Sequence, residues 1–392
     1  MSGTILVLNA GSSSIKFQLF DAGGAEGVDR RIKGAIEGIG TKPHLAAEDK
    51  DGKRLVDKTW GSAELGDAAA ALDQVLDWLT QEMQGEMPAA IGHRVVHGGT
   101  RFTRPILVDE TVIDGIEALV PLAPLHQPGN LAPIQVLRGR FPALPQVACF
   151  DTAFHRGHPP VADHFAIPEA LYEEGVRRYG FHGISYEYIA SVLTPALAAG
   201  RVIVAHLGNG ASMCALKAGR SIDSTMAFTA LDGIPMGTRA GQLDPGVLLY
   251  LVKKGWDGDR LERFLYHECG LKGLSGVSND MRDLLATDTP PARLAVDYFV
   301  YRIIREAGAL AAVLGGLDGV IFTAGIGERS AEIRARVSAG LAWLGLDLDE
   351  AANSRNGPEI TRPGSRVQAW AIPTDEERMI ALHTRKLLDG VP

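Results

Sequence analysis

Two arginines sit among small residues in a pattern suited to binding an anion. Arg94 lies in Gly92-His93-Arg94-Val95-Val96-His97-Gly98-Gly99, and Arg239 lies in Gly237-Thr238-Arg239-Ala240-Gly241-Gln242. A guanidinium pairs with a carboxylate or phosphate through a planar fork of donors. Two such sites could clamp a small dianion and stabilise charge on a phosphoryl group in transfer. For Arg94 the alternative is a surface arginine in a loop.

The segment Asn9-Ala10-Gly11-Ser12-Ser13-Ser14, with Lys16 just after it, offers backbone N–H groups and hydroxyls with little steric bulk. Such a set suits phosphate oxygens, and the side chain of Asn9 could supply an oxygen to a hard cation. The Walker A pattern is absent. A plain hairpin turn is the competing interpretation.

Three further residues are candidates for chemistry. Asp151 follows the apolar run Val147-Ala148-Cys149-Phe150, and a carboxylate at a strand end often lines a cleft in an α/β protein. His126 lies between two prolines, and His182 lies between Phe181 and Gly183, so each could donate to an oxyanion. A turn-capping role for Asp151 and a structural role for His126 remain open.

Glycine turns follow later apolar runs. His206-Leu207-Gly208-Asn209-Gly210 follows one run, and the predicted loop Ala324-Gly325-Ile326-Gly327 follows another. Backbone N–H groups in such turns can meet phosphate or ribose. The second glycine turn is not a full G-x-G-x-x-G and is a weak signal by itself.

The elements that must position these residues are strands mixed with helices. Ile5 to Leu8 and Val202 to Ala205 each read as an apolar strand that leads through a glycine turn into a second strand. The two turns, at Gly11 and Gly208, lie about half the chain apart, which suggests an internal duplication. Helices are predicted at Leu72–Leu79, at about Pro291–Leu314 and at Glu376–Leu388. The pattern indicates an α/β protein of two domains.

Composition excludes several classes. Apolar residues make up 46% of the 392 residues, and the net charge is −8, which argues against nucleic-acid binding. No apolar run is long enough to span a bilayer, and no signal peptide is evident. Three widely spaced cysteines fit neither a disulfide framework nor a zinc site, so we expect a cytoplasmic location.

Taken together and in this order, the motifs resemble the signature blocks of the acetate kinase family from residue 4 to about 380. The blocks are Asn9–Lys16, His93–Gly99, Cys149–His155, Tyr179–Gly183, His206–Ser212, Met236–Arg239, Ser278–Arg282 and Thr323–Glu328. The resemblance implies two duplicated ribonuclease-H-like domains of the actin and Hsp70 ATPase type, with a central nucleotide cleft. It places the first domain at 1–150 with the C-terminal helix 378–392, and the second domain at 151–377.

The resemblance also implies residue roles. Catalytic roles fall to Asp151, His182, Arg239 and Arg94, and the acyl substrate would contact Arg94, Val96, Leu125, His126 and Phe181. Nucleotide contacts would come from Lys16, Ser12, Ser14, His206, Leu207, Gly208, Asn209, Gly210, Asp280, Met281, Arg282, Gly325, Ile326, Gly327, Glu328 and Arg329. Asn9 and Glu376 would hold Mg²⁺, with Mn²⁺ as the alternative.

The implied reaction is direct in-line phosphoryl transfer between ATP and acetate by a homodimer that binds neither nucleic acid nor membrane. Ala230 stands where many family members have proline, Tyr186 where histidine is common, and Gln242 where an acidic residue is frequent. Loss of bulk at Ala230 could admit propionate. The rivals are a propionate or other short-chain acyl kinase and, in a different class, a slow ATPase that acts as a conformational module.

Overall fold

Strand β1 (Thr4–Ala10) is the centre of the first sheet, and its Ile5, Leu6, Val7 and Leu8 are at most 1% exposed. The computed structural model describes residues 3–11, 13–24, 27–61 and 64–390. The chain divides into two compact units. The terminal unit is Met1–Phe154 with Asp375–Pro392, and the central unit is His155–Thr374.

The terminal unit contains one eight-stranded sheet of order β5-β4-β3-β2-β1-β6-β8-β7. Its other strands are β2 (Ser14–Gly24), β3 (Gly27–Glu37), β4 (His44–Asp49), β5 (Arg54–Thr59), β6 (Ala90–Val95), β7 (Ile106–Leu107) and β8 (Gln146–Phe150). Its helices are α1 (Ala68–Glu82), α2 (Glu110–Glu117), α3 (Gln127–Arg140) and the C-terminal helix Glu376–Leu388. Leu72, Val75, Leu76 and Leu79 of α1 are buried, as their helical spacing predicts.

The central unit contains a five-stranded sheet of order β11-β10-β9-β12-β13. The strands are β9 (Arg201–Leu207), β10 (Ala211–Lys217), β11 (Arg220–Ser224), β12 (Gly319–Thr323) and β13 (Gln368–Ala371). The helices are α4 (Pro160–Asp163), α5 (Glu169–Glu173), α6 (Gly183–Val192), α7 (Pro195–Ala198), α8 (Pro245–Lys253), α9 (Gly258–His267), α10 (Gly270–Ser275), α11 (Met281–Ala286), α12 (Pro290–Leu314), α13 (Ala324–Arg329), α14 (Ala331–Gly340) and α15 (Glu350–Ser354). The C-terminal helix of the terminal unit, Glu376–Leu388, is α16.

The two sheets repeat one topology. In the terminal unit β1, β2 and β3 pair antiparallel, and β6 and β8 run parallel to β1. In the central unit β9, β10 and β11 pair antiparallel, and β12 and β13 run parallel to β9. The glycine turns at Gly11 and Gly208 join the first two strands of each set. The predicted α/β class and internal duplication are therefore confirmed.

Three local predictions had different outcomes. Helix α12 ends at Gly315, which adopts the left-handed conformation (φ 72°) that glycine tolerates, close to the predicted boundary. The predicted loop over Ala324–Gly327 is wrong, because Ala324–Arg329 forms the short helix α13. Ser330 then accepts a hydrogen bond from the backbone N–H of Ile333 and begins α14, as expected.

Candidate active site

The first group of candidate residues lies at one edge of the terminal sheet. Parallel strands bring their carboxyl ends to the same edge. Leu8 of β1 pairs with His93 of β6, and Arg94 pairs with Cys149 of β8. Asn9, Arg94 and Asp151 therefore meet at this edge, although 85 and 57 residues of chain separate Arg94 from the other two.

Arg94 and Asp151 form a bidentate ion pair. Nε of Arg94 donates to Oδ1 of Asp151 over 3.1 Å, and Nη2 donates to Oδ2 over 2.5 Å. Nη1 donates to Oδ1 of Asn9 over 3.3 Å. Burial raises the pKa of the Asp151 carboxyl, and Arg94 opposes that rise. Asp151 thus fixes the plane of the guanidinium.

Helix α16 brings Glu376 to the same group. A side chain at Gly92 of β6 would overlap Ile380 and Thr384, so glycine there allows α16 to pack closely on the strand. Oε2 of Glu376 lies 3.8 Å from Nε of Arg94. Burial raises the pKa of Glu376 to about 7; Arg94 opposes the rise, and the charge of Asp151 adds to it.

The first glycine-serine turn lies beside this group. Asn9 of β1 pairs with Lys16 of β2, and the backbone N–H of Gly11 donates to the carbonyl of Ser14 over 2.8 Å. Lys16 is exposed, and its charge acts to lower the pKa of Glu376. Ser12, also predicted to contact phosphate, lies outside the described residues.

The predicted acyl-binding residues occur in both units. In the terminal unit Val96 is half-buried, its N–H donates to Asn130, and Asn130 donates to the carbonyl of Ala10. Leu125 is 39% exposed, and His126 lies exposed at the start of α3. Phe181 belongs to the central unit, where it is buried. Asn130, which holds Val96 to the end of β1, was not among the predicted residues.

In the central unit two histidines stack. The rings of His182 and His206 have centroids 4.2 Å apart and planes 17° apart. His182 precedes α6 in the left-handed conformation (φ 55°). The preceding carbonyl, that of Phe181, accepts a hydrogen bond from Nε2 of His155, which burial keeps neutral by lowering its pKa well below the usual range. This contact holds the turn that presents His182.

Arg239 is the second predicted clamp, and none of the described residues forms an acidic partner to it. Among the residues that the structure describes, its hydrogen-bond acceptor is the carbonyl of Ala230, 2.8 Å from Nη1. Burial lowers the pKa of Arg239, while Tyr266 opposes that effect. A half-buried cation without a neutralising carboxylate is a favourable place for a bound anion.

Gly210 brings Arg239 and His182 to one point. A Cβ atom at Gly210 would lie 3.3 Å from Nη2 of Arg239 and 3.4 Å from Nε2 of His182. Two nitrogen donors therefore converge on the backbone of the β9–β10 turn. Convergent donors of this kind stabilise negative charge that develops during a reaction.

A cavity of about 510 Å³ lies beside the same turn, a size suited to a small organic ligand. Its lining includes eight of the residues predicted to contact nucleotide, namely Gly208, Asn209, Asp280, Met281, Arg282, Gly325, Ile326 and Arg329. Asn209 accepts a hydrogen bond from Asn279 and its carbonyl accepts one from the N–H of Gly237. The structure thus joins three segments that are far apart in sequence.

The other predicted nucleotide residues of this unit do not line the cavity; they are His206, Leu207, Gly210, Gly327 and Glu328. Glu328 accepts a hydrogen bond from the N–H of Thr374 instead. Asn279, Leu285 and Ser330 line the cavity and were not predicted as site residues. Leu285 follows Met281 by four residues on α11, so helical spacing from Met281 was the available signal.

Among the described residues, no group of three or more His, Cys, Asp or Glu side chains could hold a metal ion. Within the same part of the chain, no helix has the length and apolar character needed to cross a membrane.

A family model described as the Acetokinase family matches residues 4–382. The chain belongs to the Acetokinase family. Its relatives include the acetate kinase of Nitrobacter hamburgensis, 59% identical over 98% of this chain and 96% of the relative. The acetate kinase of Rhizobium meliloti is 54% identical over 98% of each chain.

Solved structures of similar proteins agree with this assignment. The propionate kinase of Francisella tularensis has a TM-score of 0.90 and 36% identity, covering 98% of this chain and 99% of that one. The acetate kinase of Porphyromonas gingivalis has a TM-score of 0.87 and 35% identity, covering 99% and 100%. The predicted family and its fold are therefore confirmed.

Proposed function

We propose that this acetokinase-family protein catalyses reversible, Mg²⁺-dependent phosphoryl transfer between ATP and acetate, giving ADP and acetyl phosphate. The observation that carries the proposal is the match of nearly the whole chain to the family and to relatives named acetate kinase. The arrangement of the candidate site residues supports the same reaction.

ATP would bind in the cavity of the central unit. Met281, Leu285 and Ile326 offer apolar contact to a base, and the turn Gly208–Gly210 offers N–H groups to phosphates. Arg239 and His182 would stabilise the phosphoryl group in transfer, because both nitrogens approach the backbone of that turn.

Acetate would be held by Arg94, and its oxygen would attack the γ-phosphorus. A carboxylate is already ionised near neutral pH, so no general base is needed to activate it. Asp151 is therefore a positioning residue, whose two hydrogen bonds hold the Arg94 guanidinium in one orientation. The rest of the rate acceleration comes from orientation of the reactants and from neutralisation of the phosphoryl charge.

Mg²⁺, with Mn²⁺ as the alternative, is the cofactor that we propose, and Asn9 and Glu376 would hold it. Oxygen donors suit a hard cation. The raised pKa of Glu376 supports the fit, because burial and the charge of Asp151 disfavour its ionised form despite Arg94, and a bound cation would relieve that cost. When bound, the cation neutralises charge on the phosphate oxygens.

We also propose that the active molecule is a homodimer of the cytoplasm. Helix α8 supports the dimer, because none of its side chains is buried and Leu249, Tyr250 and Val252 are 64%, 56% and 51% exposed. Three buried cysteine thiols are consistent with a reducing compartment.

The test is release of ADP from ATP and Mg²⁺ in the presence of acetate, propionate or butyrate. Acetate should give the highest kcat/KM, and propionate should follow within roughly 10–200-fold, the range for one methylene. Turnover that does not depend on any acid would contradict the proposal and point to an ATPase module.

Arg239→Ala should lower kcat about 10²–10³-fold, the usual effect of removing one donor to developing charge. Arg263→Ala is the matched control, because Arg263 is 78% exposed on α9 and forms a 3.6 Å surface ion pair with Glu268. Equal kcat values for the two variants would contradict the proposal that Arg239 stabilises the phosphoryl group.

A further inference from the structure

Arg334, on helix α14 of the central unit, is a fully buried cation. The residue is 0% exposed. Its Nη1 donates a hydrogen bond to the carbonyl of Gly327 over 2.9 Å. Nε and Nη2 donate to the side-chain oxygen and the carbonyl of Asn353, and Nη2 also donates to Oδ1 of Asn356 over 2.8 Å. All of these acceptors are uncharged oxygens.

The guanidinium of Arg334 is buried without a counter-charge. Removing a charge from water is costly unless an opposite charge compensates it. Among the described residues, no carboxylate forms an ion pair with Arg334, and burial lowers the pKa of its guanidinium. An arginine nevertheless keeps its proton in a folded protein. The central unit therefore holds an uncompensated positive charge at this position.

This charge lies at the carbonyl end of helix α13. The last four carbonyls of a helix have no partner within the helix, and they carry partial negative charge. In α13 the carbonyl of Ile326 accepts from the N–H of Ser330, and the carbonyl of Gly327 accepts from Arg334. The guanidinium therefore offsets the negative end of α13.

Helix α13 forms one wall of the cavity in which we propose that ATP binds. Gly325, Ile326 and Arg329 line this cavity. Gly327, which accepts the hydrogen bond from Arg334, does not line it. Seen from the cavity, the guanidinium therefore lies behind the helix.

The charge is also near the turn that would receive the phosphates. A Cβ atom on Gly208 would lie 3.7 Å from Cβ of Ala324, the first residue of α13. Gly327 follows Ala324 by three residues, which is about 4.5 Å along a helix axis. The guanidinium of Arg334 is therefore roughly 10 Å from this turn. Charges at such a distance interact more strongly through protein than through water.

We propose that Arg334 supplies the nucleotide site with a buried positive charge that favours binding of the anionic phosphates from behind α13. This inference deepens the proposed function and rests on its nucleotide site. The charge acts on the phosphates of ADP or ATP and leaves an uncharged nucleoside unaffected. A purely structural role would instead support the whole cavity, and so both kinds of ligand alike.

Asn356→Asp tests the charge while the contacts are kept. The carboxylate has the shape of the amide and retains the oxygen that accepts from Nη2 of Arg334. Aspartate also tolerates the left-handed conformation of this position (φ 59°). The new negative charge pairs with the guanidinium and cancels its field. In isothermal titration calorimetry, the Kd for MgADP should rise roughly three- to tenfold, while the Kd for adenosine stays within about twofold.

Ser354→Asp is the matched control, because it adds the same charge at an exposed position of α15, two residues before Asn356. The hydroxyl of Ser354 donates to the carbonyl of Glu350. Solvent screens a charge placed there, so both Kd values should match those of the wild type. Arg334→Met is less informative, because it removes every hydrogen bond of the guanidinium and tests stability together with charge.

The outcomes separate this proposal from the proposed reaction. A wild-type Kd for MgADP in Asn356→Asp would overturn the role of Arg334, and so would equal weakening of MgADP and adenosine. A wild type that binds MgADP but does not phosphorylate acetate would overturn the proposed reaction, and the titrations would still decide the role of Arg334. A wild type that binds neither ligand would overturn the nucleotide site and this proposal with it.

Discussion

At the residue scale, the ion pair between Arg94 and Asp151 explains why an aspartate follows strand β8. Asp151 is fully buried, and both its oxygens face the guanidinium. Its carboxylate is therefore occupied in orienting Arg94, and it is poorly placed to serve as a base. Buried charge pairs are sensitive to loss of one partner, because the other charge is left without compensation.

Asp151→Asn should separate positioning from stability. The variant keeps the volume of the side chain but weakens its two hydrogen bonds with Arg94, so the guanidinium should lose its orientation. We expect kcat/KM for acetate to fall about 10²-fold in steady-state assays. Asp73→Asn is the matched control, because its pair with Arg140 is half-exposed and such pairs contribute about 0–1 kcal/mol. An Asp151→Asn enzyme as efficient as the control would show that Arg94 needs no partner.

Gly210→Ala probes the convergence of His182 and Arg239. The new methyl would lie 3.3–3.4 Å from the two donor nitrogens, so both must shift by a few tenths of an ångström. We expect kcat to fall roughly tenfold, because catalytic donors depend on position at this scale. Steady-state kinetics and a thermal melt would measure the effect.

Gly139→Ala provides the control for Gly210→Ala. Gly139 lies in α3 with open space around it, so alanine should leave kcat unchanged and stabilise the helix by about 0.5–1 kcal/mol. Should Gly210→Ala also be fully active, the two donors do not act at this turn.

At this scale the sequence identified the types of residue well and their partners poorly. Arg94, Asp151, His182 and Arg239 were visible because a charged or imidazole side chain stood among glycines or at a strand end. The bidentate ion pair between Arg94 and Asp151 depends on the register of β6 against β8. That register cannot be read from the sequence, because 57 residues separate the two side chains. Asn130 was not visible as a site residue, because its contact with Ala10 spans 120 residues and has no local pattern.

At the element scale, a buried histidine links strands β6 and β8. His93 is 1% exposed, and its Nε2 is 2.7 Å from Oε1 of Gln146. Burial lowers the pKa of His93 to about 4, and Gln146 opposes the effect. The folded state is therefore more stable with a neutral His93 ring, and protonation of that ring favours unfolding.

The sign of the pH effect follows. The folded pKa lies below the unfolded value of 6.5, so the contribution is complete above pH 6.5 and is lost as pH falls toward 4. For one group shifted this far, the loss is about 3 kcal/mol. The urea concentration at the midpoint of unfolding should be lower at pH 5 than at pH 7. His93→Gln should reduce that difference.

His267→Gln is the control for the histidine prediction, since His267 is exposed at the end of α9. Its pH dependence should match the wild type. If His93→Gln also matched the wild type, the acid sensitivity would belong to other groups, of which His158, whose pKa is lowered to about 4 mainly by burial, is the next to replace.

Secondary structure was predictable where apolar residues recurred with one constant spacing along the whole element. The buried stripe of α1 and the cap at Gly315 of α12 follow directly from spacing and glycine chemistry. The segment Ala324–Arg329 was not, because two glycines favour a loop on propensity alone. There Ala324 takes a left-handed conformation and the N–H of Ser330 donates to the Ile326 carbonyl, so the structure closes a short helix that local preference disfavours.

At the scale of the whole molecule, two units repeat one order of strands. In each unit the first strand is central, its hairpin turn carries small residues, and the parallel strands beside it end near candidate site residues. A duplicated fold explains why two similar turns, at Gly11 and Gly208, occur half the chain apart. The two hairpins in the sequence indicate this repeat. The positions of the parallel strands within each sheet could not be predicted, because no local sequence pattern encodes strand order.

The exposed face of α8 leads to a prediction about assembly. Apolar side chains that stay exposed on a helix with no buried residue are unusual in a monomer. We expect the wild type to elute in size-exclusion chromatography with light scattering at twice the chain mass of 41.8 kDa. Replacing Leu249 and Tyr250 together by Glu should place charge in the interface and return the mass to that of one chain.

Val161→Glu is the matched control for assembly, because Val161 is an apolar residue 89% exposed on α4, away from α8 in sequence. This variant should remain dimeric at the same concentration. A monomeric wild type would contradict the dimer, whereas a dimeric Leu249→Glu/Tyr250→Glu variant would keep the dimer and move its interface to another face. Activity of the monomeric variant would then show whether one chain suffices for catalysis, since every site residue that we propose comes from a single chain.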